Sequence, residues 1–221
     1  MTNGCQDRQH WLARHTLPLM ATFDTAELNP TDTYKLMTGL VVPRPIGWVA
    51  TTDESGRANL APYSFFQCVA TNPPVVLFSA GVNSGHEKDS LRNVRSTGEF
   101  TCNLVDMATV ETMNQSSAEL EHGASEFEFA GLTPVPSFDV AAPRVGEARA
   151  SFECRVQQIM ELGDAPIQHA VVFGHVVRIH AADGILDGTR VDFAELDAVG
   201  RLAGSAYATT RDRFDLDRPG S

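Results

Sequence analysis

Residues 43–64, Pro43-Arg-Pro-Ile-Gly-Trp-Val-Ala-Thr-Thr-Asp-Glu-Ser-Gly-Arg-Ala-Asn-Leu-Ala-Pro-Tyr-Ser64, decide the fold. From Ile46 to Thr52 the run is rich in β-formers. Ile46, Trp48 and Ala50 alternate there with Gly47, Val49 and Thr51, the period of a strand. Asp53-Glu-Ser-Gly56 supplies turn residues, so the chain from Ala58 onward returns as the second arm of a hairpin.

Working outward, residues 30–32 offer the cap of a short helix that ends near Gly39. After Asn72-Pro73-Pro74, the apolar run at 75–79 has the length of a buried strand. Asp89 or Ser90 can cap a helix carrying Leu91 and Val94 and stopping at Gly98. Residues 100–105 read as a strand and 108–118 as a helix, while the Pro- and Gly-rich segment 121–143 reads as a long surface excursion. Two long strands follow, at 150–160 and 170–179. In the first, Ala150, Phe152, Cys154 and Val156 share an apolar face. Several strands with hairpin turns and only short helices predict a mainly β, antiparallel barrel. The regular helical crossovers of a parallel nucleotide-binding sheet are missing, as is a Gly-x-Gly-x-x-Gly fingerprint.

With 221 residues and 43% apolar content, the chain can bury a sizeable core without disulfide staples. Cys5, Cys68, Cys102 and Cys154 are scattered, form no Cys-x-x-Cys pair, and read as buried thiols of a reducing, cytoplasmic setting. A net charge of −11 disfavours nucleic acid and anionic membrane as partners, and no apolar run is long enough to span a bilayer. Residues 1–19 lack the basic-then-apolar order of a secretion signal. They read as a disordered extension, with the domain occupying 20–221.

An anionic ligand must therefore be held by local donors. Thr51, Thr52, Ser64 and Ser90 offer hydroxyls, and Lys88, one of only two lysines, stands beside a predicted helix start. Arg44 and Arg92 are possible helpers. The same threonines are also ordinary strand residues, and Ser90 an ordinary cap. His169, His175 and His180 have mixed parity on one strand, which argues against a metal site. No Gly-x-Ser-x-Gly elbow supports a hydrolase.

Five blocks carry a family resemblance. They are Val42-Pro-Arg-Pro-Ile-Gly-Trp-Val-Ala-Thr-Thr, Asn59-Leu-Ala-Pro-Tyr-Ser-Phe-Phe, Lys88-Asp-Ser-Leu-Arg-Asn, Glu126-Phe-Glu-Phe-Ala-Gly-Leu-Thr-Pro and Val199-Gly-Arg-Leu-Ala-Gly-Ser-Ala-Tyr. In order and spacing the chain resembles the flavin reductase-like FMN-binding proteins, in the branch that includes nitrilotriacetate monooxygenase reductase components. The resemblance implies a six-stranded antiparallel split β-barrel of Greek-key type with short decorating helices. It implies FMN as cofactor, with NADH or NADPH as electron donor, a homodimer, and a flavin-dependent monooxygenase or other acceptor for the reduced flavin. An FMN-holding electron carrier of the flavoredoxin type is the alternative.

Carried onto this chain, the resemblance assigns Arg44, Thr51, Thr52, Asn59, Leu60, Ala61, Pro62, Tyr63, Ser64, Phe65, Lys88, Asp89 and Ser90 to the cofactor. Thr51 and Thr52 fall near the ribityl-phosphate, and backbone groups of Asn59 to Pro62 meet the isoalloxazine edge. Tyr63, Ser64 and Phe65 continue towards the phosphate, and Lys88 and Ser90 close it. No catalytic proton-transfer residue is assigned. Relatives commonly have Gly-Gly in the last block where this chain has Ala203-Gly204, and many have an acidic residue at His175.

Overall fold

The computed structural model describes residues 19–83, 87–118, 120, 124–163 and 167–220. The extension expected at 1–19 falls outside them except for Leu19. The chain divides into two compact units, residues 1–40 and 41–221. In the first, helix α1 (Pro30–Leu40) has Pro30 at its first position, and the cap is Asn29 rather than residues 30–32. Asn29 Oδ1 accepts the Asp32 amide at 2.9 Å, which satisfies one of the helix's open amides.

The second unit is built on one antiparallel sheet. Its strands are β2 (Gly47–Thr52), β3 (Ala58–Tyr63), β4 (Phe66–Thr71), β5 (Pro74–Asn83), β6 (Glu99–Leu104), β9 (Ala150–Leu162) and β10 (Ile167–Ala181), in the order β3-β2-β6-β9-β10-β5-β4. The mainly β antiparallel architecture is as expected. The sheet has seven strands rather than six, because Phe66–Thr71 pairs along β5 as an extra, largely exposed edge. A small three-stranded sheet and two pairs complete the set among the described residues. The two-residue strand β1 (Arg44–Pro45) joins β13 (Val199–Arg201) and β14 (Tyr207–Thr209), and β7 (Pro134–Val135) pairs with β8 (Arg144–Val145). A short hairpin of β11 (Leu186–Asp187) and β12 (Arg190–Val191) lies near the C-terminal end.

The sheet closes on itself. Tyr63 of β3 and Phe78 of β5 lie first and sixth in strand order, yet their ring centroids are 4.9 Å apart. Phe100 of β6 meets Phe78 edge-on at 5.3 Å, a favoured aromatic geometry. Phe100 also explains Gly174 on β10, where an added Cβ would stand 2.3 Å from its ring. A backbone bond from Ser79 N to Phe65 O at 2.8 Å ties the β3–β4 connection to β5.

Strand β2 is buried along its whole length because both faces are covered. Val49 joins the barrel interior with Phe78, Phe100, Leu91 and Val172. Trp48 and Ala50 join a second core, on the outer face, with Leu60, Met113 and Phe127. Trp48 Nε1 donates to Ser116 Oγ at 2.9 Å, so the indole is a satisfied core side chain. The helices that cover the sheet are α2 (Asp89–Thr97), α3 (Val110–Gln115) and α4 (Glu126–Phe129), with α5 (Phe193–Leu196) later in the chain.

Three expectations need correction. The described part of 121–143 is more than a surface excursion, since α4 and β7 lie in it and Phe127, Leu132 and Ala142 are buried. Their apolar contacts outweigh the Pro and Gly content that marked the segment as loop. Cys68 is exposed on edge strand β4, while Cys102 and Cys154 are buried as free thiols. The residue at the cap position of α2 is Lys88, not Asp89 or Ser90, and it makes no side-chain cap bond because an ammonium cannot accept one.

Candidate functional site

The β2–β3 hairpin carries the expected residues Thr51, Thr52 and Asn59 to Tyr63. Its turn is organised by Asp53, whose carboxylate accepts the Ser55 and Arg57 amides at 2.9 Å each and the Ser55 hydroxyl at 2.7 Å. These bonds hold the Asp53 carboxyl far below the usual carboxylate range, the Ser55 hydroxyl contributing most. Gly56 takes φ +85°, a value that costs other residues strain. The register that results sets Thr51 opposite Asn59 and Gly47 opposite Tyr63.

Helix α2 follows on, with its first turn against β3. Asn59 Nδ2 donates to Ser90 Oγ at 2.9 Å, and Asn93 Nδ2 donates to Thr51 Oγ1 at 3.0 Å, both pairs buried. Ser90 is thereby committed to β3 and does not cap its own helix. Lys88, at the cap position, gives the first amides of α2 no side-chain acceptor, and, exposed, it stands over the Tyr63 ring at 5.9 Å. Tyr63 Oη is buried beside Ser90; desolvation pushes its pKa up to about 12, an effect that interaction with the Ser90 hydroxyl opposes. Asp89 forms an ion pair with Arg92 at 2.7 Å.

Next to this corner opens a cavity of about 930 Å³, lined by Asn59, Asp89, Arg92, Asn93 and, from α4, Glu126 and Glu128. Asp53 and Arg57 line it too, paired at 2.8 Å. Four carboxylates face two arginines, so the cavity is net acidic.

Not every expected residue faces this corner. Thr51 and Thr52 are buried, and the Thr52 hydroxyl donates to Ala141 O at 3.4 Å. Leu60 is fully buried in the outer core; Ala61 and Pro62 are half-buried. Arg44, Ser64 and Phe65 form a second cluster around β1. Arg44 donates to Ser64 Oγ at 3.4 Å and to the Val41 and Leu202 carbonyls at 3.0 Å each, with its guanidinium 5.9 Å from the Phe65 ring. Phe65 also lies 5.9 Å from the His169 ring, and His169 Nδ1 is 3.3 Å from Ser79 Oγ. Asn59 and Ser64 are five residues of extended chain apart, about 17 Å.

Sequence reasoning missed Asn93 as the partner of Thr51, and Glu126, which lay inside a quoted block without a role. The Ala203 departure is harmless to the local turn. Gly204 is the residue at φ +60°, and Ala206 N still closes onto Ala203 O at 3.1 Å.

Against known proteins, residues 37–195 match the model of the flavin reductase like domain. The chain belongs to the flavin reductase-like family. An uncharacterized member from Deinococcus radiodurans is 42% identical over 204 residues, covering 89% of this chain and 88% of that one. Among solved structures, nitrilotriacetate monooxygenase component B from Bacillus cereus is similar, with TM-score 0.87 and 35% identity over 90% of this chain and all of that one. The 2-nitrobenzoate 2-nitroreductase of Pseudomonas fluorescens follows at TM-score 0.82 and 30% identity, covering 90% of this chain and 97% of that one. The flavin reductase-like fold thus accounts for the barrel.

Proposed function

We propose that this chain binds FMN along β3 and works as an NADH- or NADPH-dependent flavin reductase. The observation that carries the reading is the juxtaposition of Asn59, Tyr63 and Ser90 with Lys88 at a helix start that has no side-chain cap. A phosphate monoester fits there, because the first amides of α2 and one ammonium supply donors and the Tyr63 hydroxyl beside Ser90 can supply another. Towards the second cluster, Pro62 and Phe65 offer partly exposed apolar surface for a ring.

When bound, FMN would supply the acceptor for a hydride from NADH or NADPH, a proton from water completing its reduction. The chain's own part is to bind and orient. Lys88 and the first turn of α2 hold the anion. The Asn59–Ser90 and Thr51–Asn93 bonds fix that turn against the hairpin, and Arg44 fixes the Ser64–Phe65 bend. Hydride transfer needs face-to-face approach at roughly 3–3.5 Å and little acid–base help, which fits a site built of positioning contacts. A second copy of the chain completing the site, a cytoplasmic location, and delivery of reduced flavin to an oxygenase belong to the same proposal. The likeness to a monooxygenase component B supports the last of these.

The test is anaerobic mixing of FMN-loaded protein with NADH, then NADPH, while following the visible band of oxidised flavin. Bleaching within seconds by either donor is the expected result. A bound flavin that stays oxidised with both would overturn the reductase reading in favour of a carrier reduced by another protein.

A further inference from the structure

Strand β3 lays out three stations in sequence. The surface offered to the ring lies past its Pro62 end, towards Phe65, and the phosphate corner of Lys88 and Ser90 meets it at Tyr63 and Asn59. At its Ala58 end, on the far side of the corner from the ring, the cavity of about 930 Å³ begins. Asn59 belongs to both the corner and the cavity wall, as does Asp89 next to Lys88. Such a volume takes a large ligand fragment, far more than the end of a phosphate monoester requires. A ligand that continued past its phosphate would enter this space.

The wall suits a particular kind of continuation. Helix α4 is fixed to β3 twice: Leu60 N donates to Glu126 Oε2 at 3.2 Å, and Phe127 is buried in the outer core with Leu60. The helix therefore holds Phe129, 58% exposed, as an aromatic part of the cavity wall. An exposed aromatic face in a cavity matches a flat base. Arg57 and Arg92 face the same space as cations. Both are more than half exposed, so exchanging Asp53 and Asp89 for a phosphate partner costs little. Glu126, Glu128 and Asn93 offer oxygen acceptors, which match hydroxyl and amino donors. A second phosphate, hydroxyls and a flat base with an exocyclic amine together make up an adenylate group.

We propose that the site accepts FAD as well as FMN, with the adenylate half of FAD in the cavity between α2, α4 and the β2–β3 turn. The inference rests on the FMN reading above, since the shared phosphate sets where the cavity is entered. In FAD the adenylate is joined to the flavin phosphate itself, and the diphosphate carries no more charge than the monoester. Arg57 and Arg92 meet the added phosphate, Glu126 and Glu128 the ribose hydroxyls, and Phe129 the base. The adenylate end of NADH or NADPH has the same chemistry, but it is tied to the nicotinamide that faces the ring and not to the phosphate at Lys88.

The experiment titrates FAD and FMN, with no nicotinamide donor present, into wild type and Phe129→Ala, and then measures the KM of both proteins for NADH and NADPH. Wild type is expected to bind FAD at least as tightly as FMN. Phe129→Ala is expected to lose about tenfold in FAD affinity, the worth of one base–aromatic stack, and to keep its FMN affinity and its KM values. Weaker binding of FAD than of FMN by wild type overturns the proposal, as do equal losses of the two flavins, or no loss of FAD, in Phe129→Ala. A raised KM for the donor with FAD affinity intact would give the cavity to the donor's adenylate and overturn it too. Should Phe129→Ala fail to fold, Phe129→Leu, which keeps apolar bulk without a flat ring, takes its place. Wild-type protein that binds neither flavin overturns the FMN reading itself, whereas FMN bound without FAD removes only the present proposal.

Discussion

Residues 124–143 are gripped near both ends by a carboxylate, and the two grips differ. Glu153 of β9 is fully buried and saturated. It accepts the Phe138 amide at 2.9 Å, the Asp139 amide at 2.5 Å and His180 Nε2 at 2.6 Å. Burial alone would raise its pKa, but the two amides and His180 outweigh it and hold the carboxyl below the usual range. Among the described residues Glu126 accepts its own amide and that of Leu60 from β3, and burial leaves its pKa raised. The paired carboxylate closes a loop away from the cavity, whereas the under-paired one stands on the cavity wall. Similar chemistry thus serves as a rivet in one place and as part of a site in the other.

The largest expected effect breaks the rivet. Glu153→Ala strips the partner from two amides and from His180, and should cost about 3–5 kcal/mol in urea unfolding. A loss below about 1 kcal/mol would show that the 136–143 segment is held by other contacts.

A pH series sharpens the contrast, because the two groups have opposite signs. Glu153, with its lowered pKa, contributes stability in full above the ordinary 4.5, and the contribution fades as pH falls through the lowered value. Glu126, with its raised pKa, is most favourable below 4.5, and its contribution is lost as pH rises through the raised value. Relative to wild type, Glu126→Gln should therefore gain stability as pH rises past 4.5, and Glu153→Gln should flatten the acid limb. Melting temperatures between pH 3 and 8 would check both. Parallel curves for the two variants would erase the distinction.

The smallest effect concerns Tyr63. Its hydroxyl interacts only weakly, with Ser90, so Tyr63→Phe should change stability by no more than about 1 kcal/mol while weakening FMN binding. Calorimetry and a flavin titration on one sample separate the two readouts.

Much of the frame was legible because it rests on local signals. The hairpin followed from alternation up to Thr52, the Asp53–Gly56 turn and the return at Ala58, and β3 begins at that residue. Helix α2 ends before Gly98, which takes φ +71° as a C-cap glycine does. The extra edge strand β4 went unread because its exposed residues lack a clean two-residue period. In the site, the hydroxyls and Lys88 drew attention by type, but their partners did not. Thr51 and Asn93 are 42 positions apart, and Leu60 and Glu126 are 66. No spacing rule joins residues at such separations; only closure of the barrel and the docking of α2 and α4 on the hairpin do.

The central claim is that the start of α2 holds the phosphate of FMN, and a paired titration tests it most directly. FMN and riboflavin are added to wild type and to Lys88→Ala, and binding is followed by quenching of flavin fluorescence. The account predicts that Lys88→Ala loses about tenfold in FMN affinity, the worth of one charge-assisted contact, and keeps its riboflavin affinity. Equal losses for the two ligands, or none for either, would contradict it.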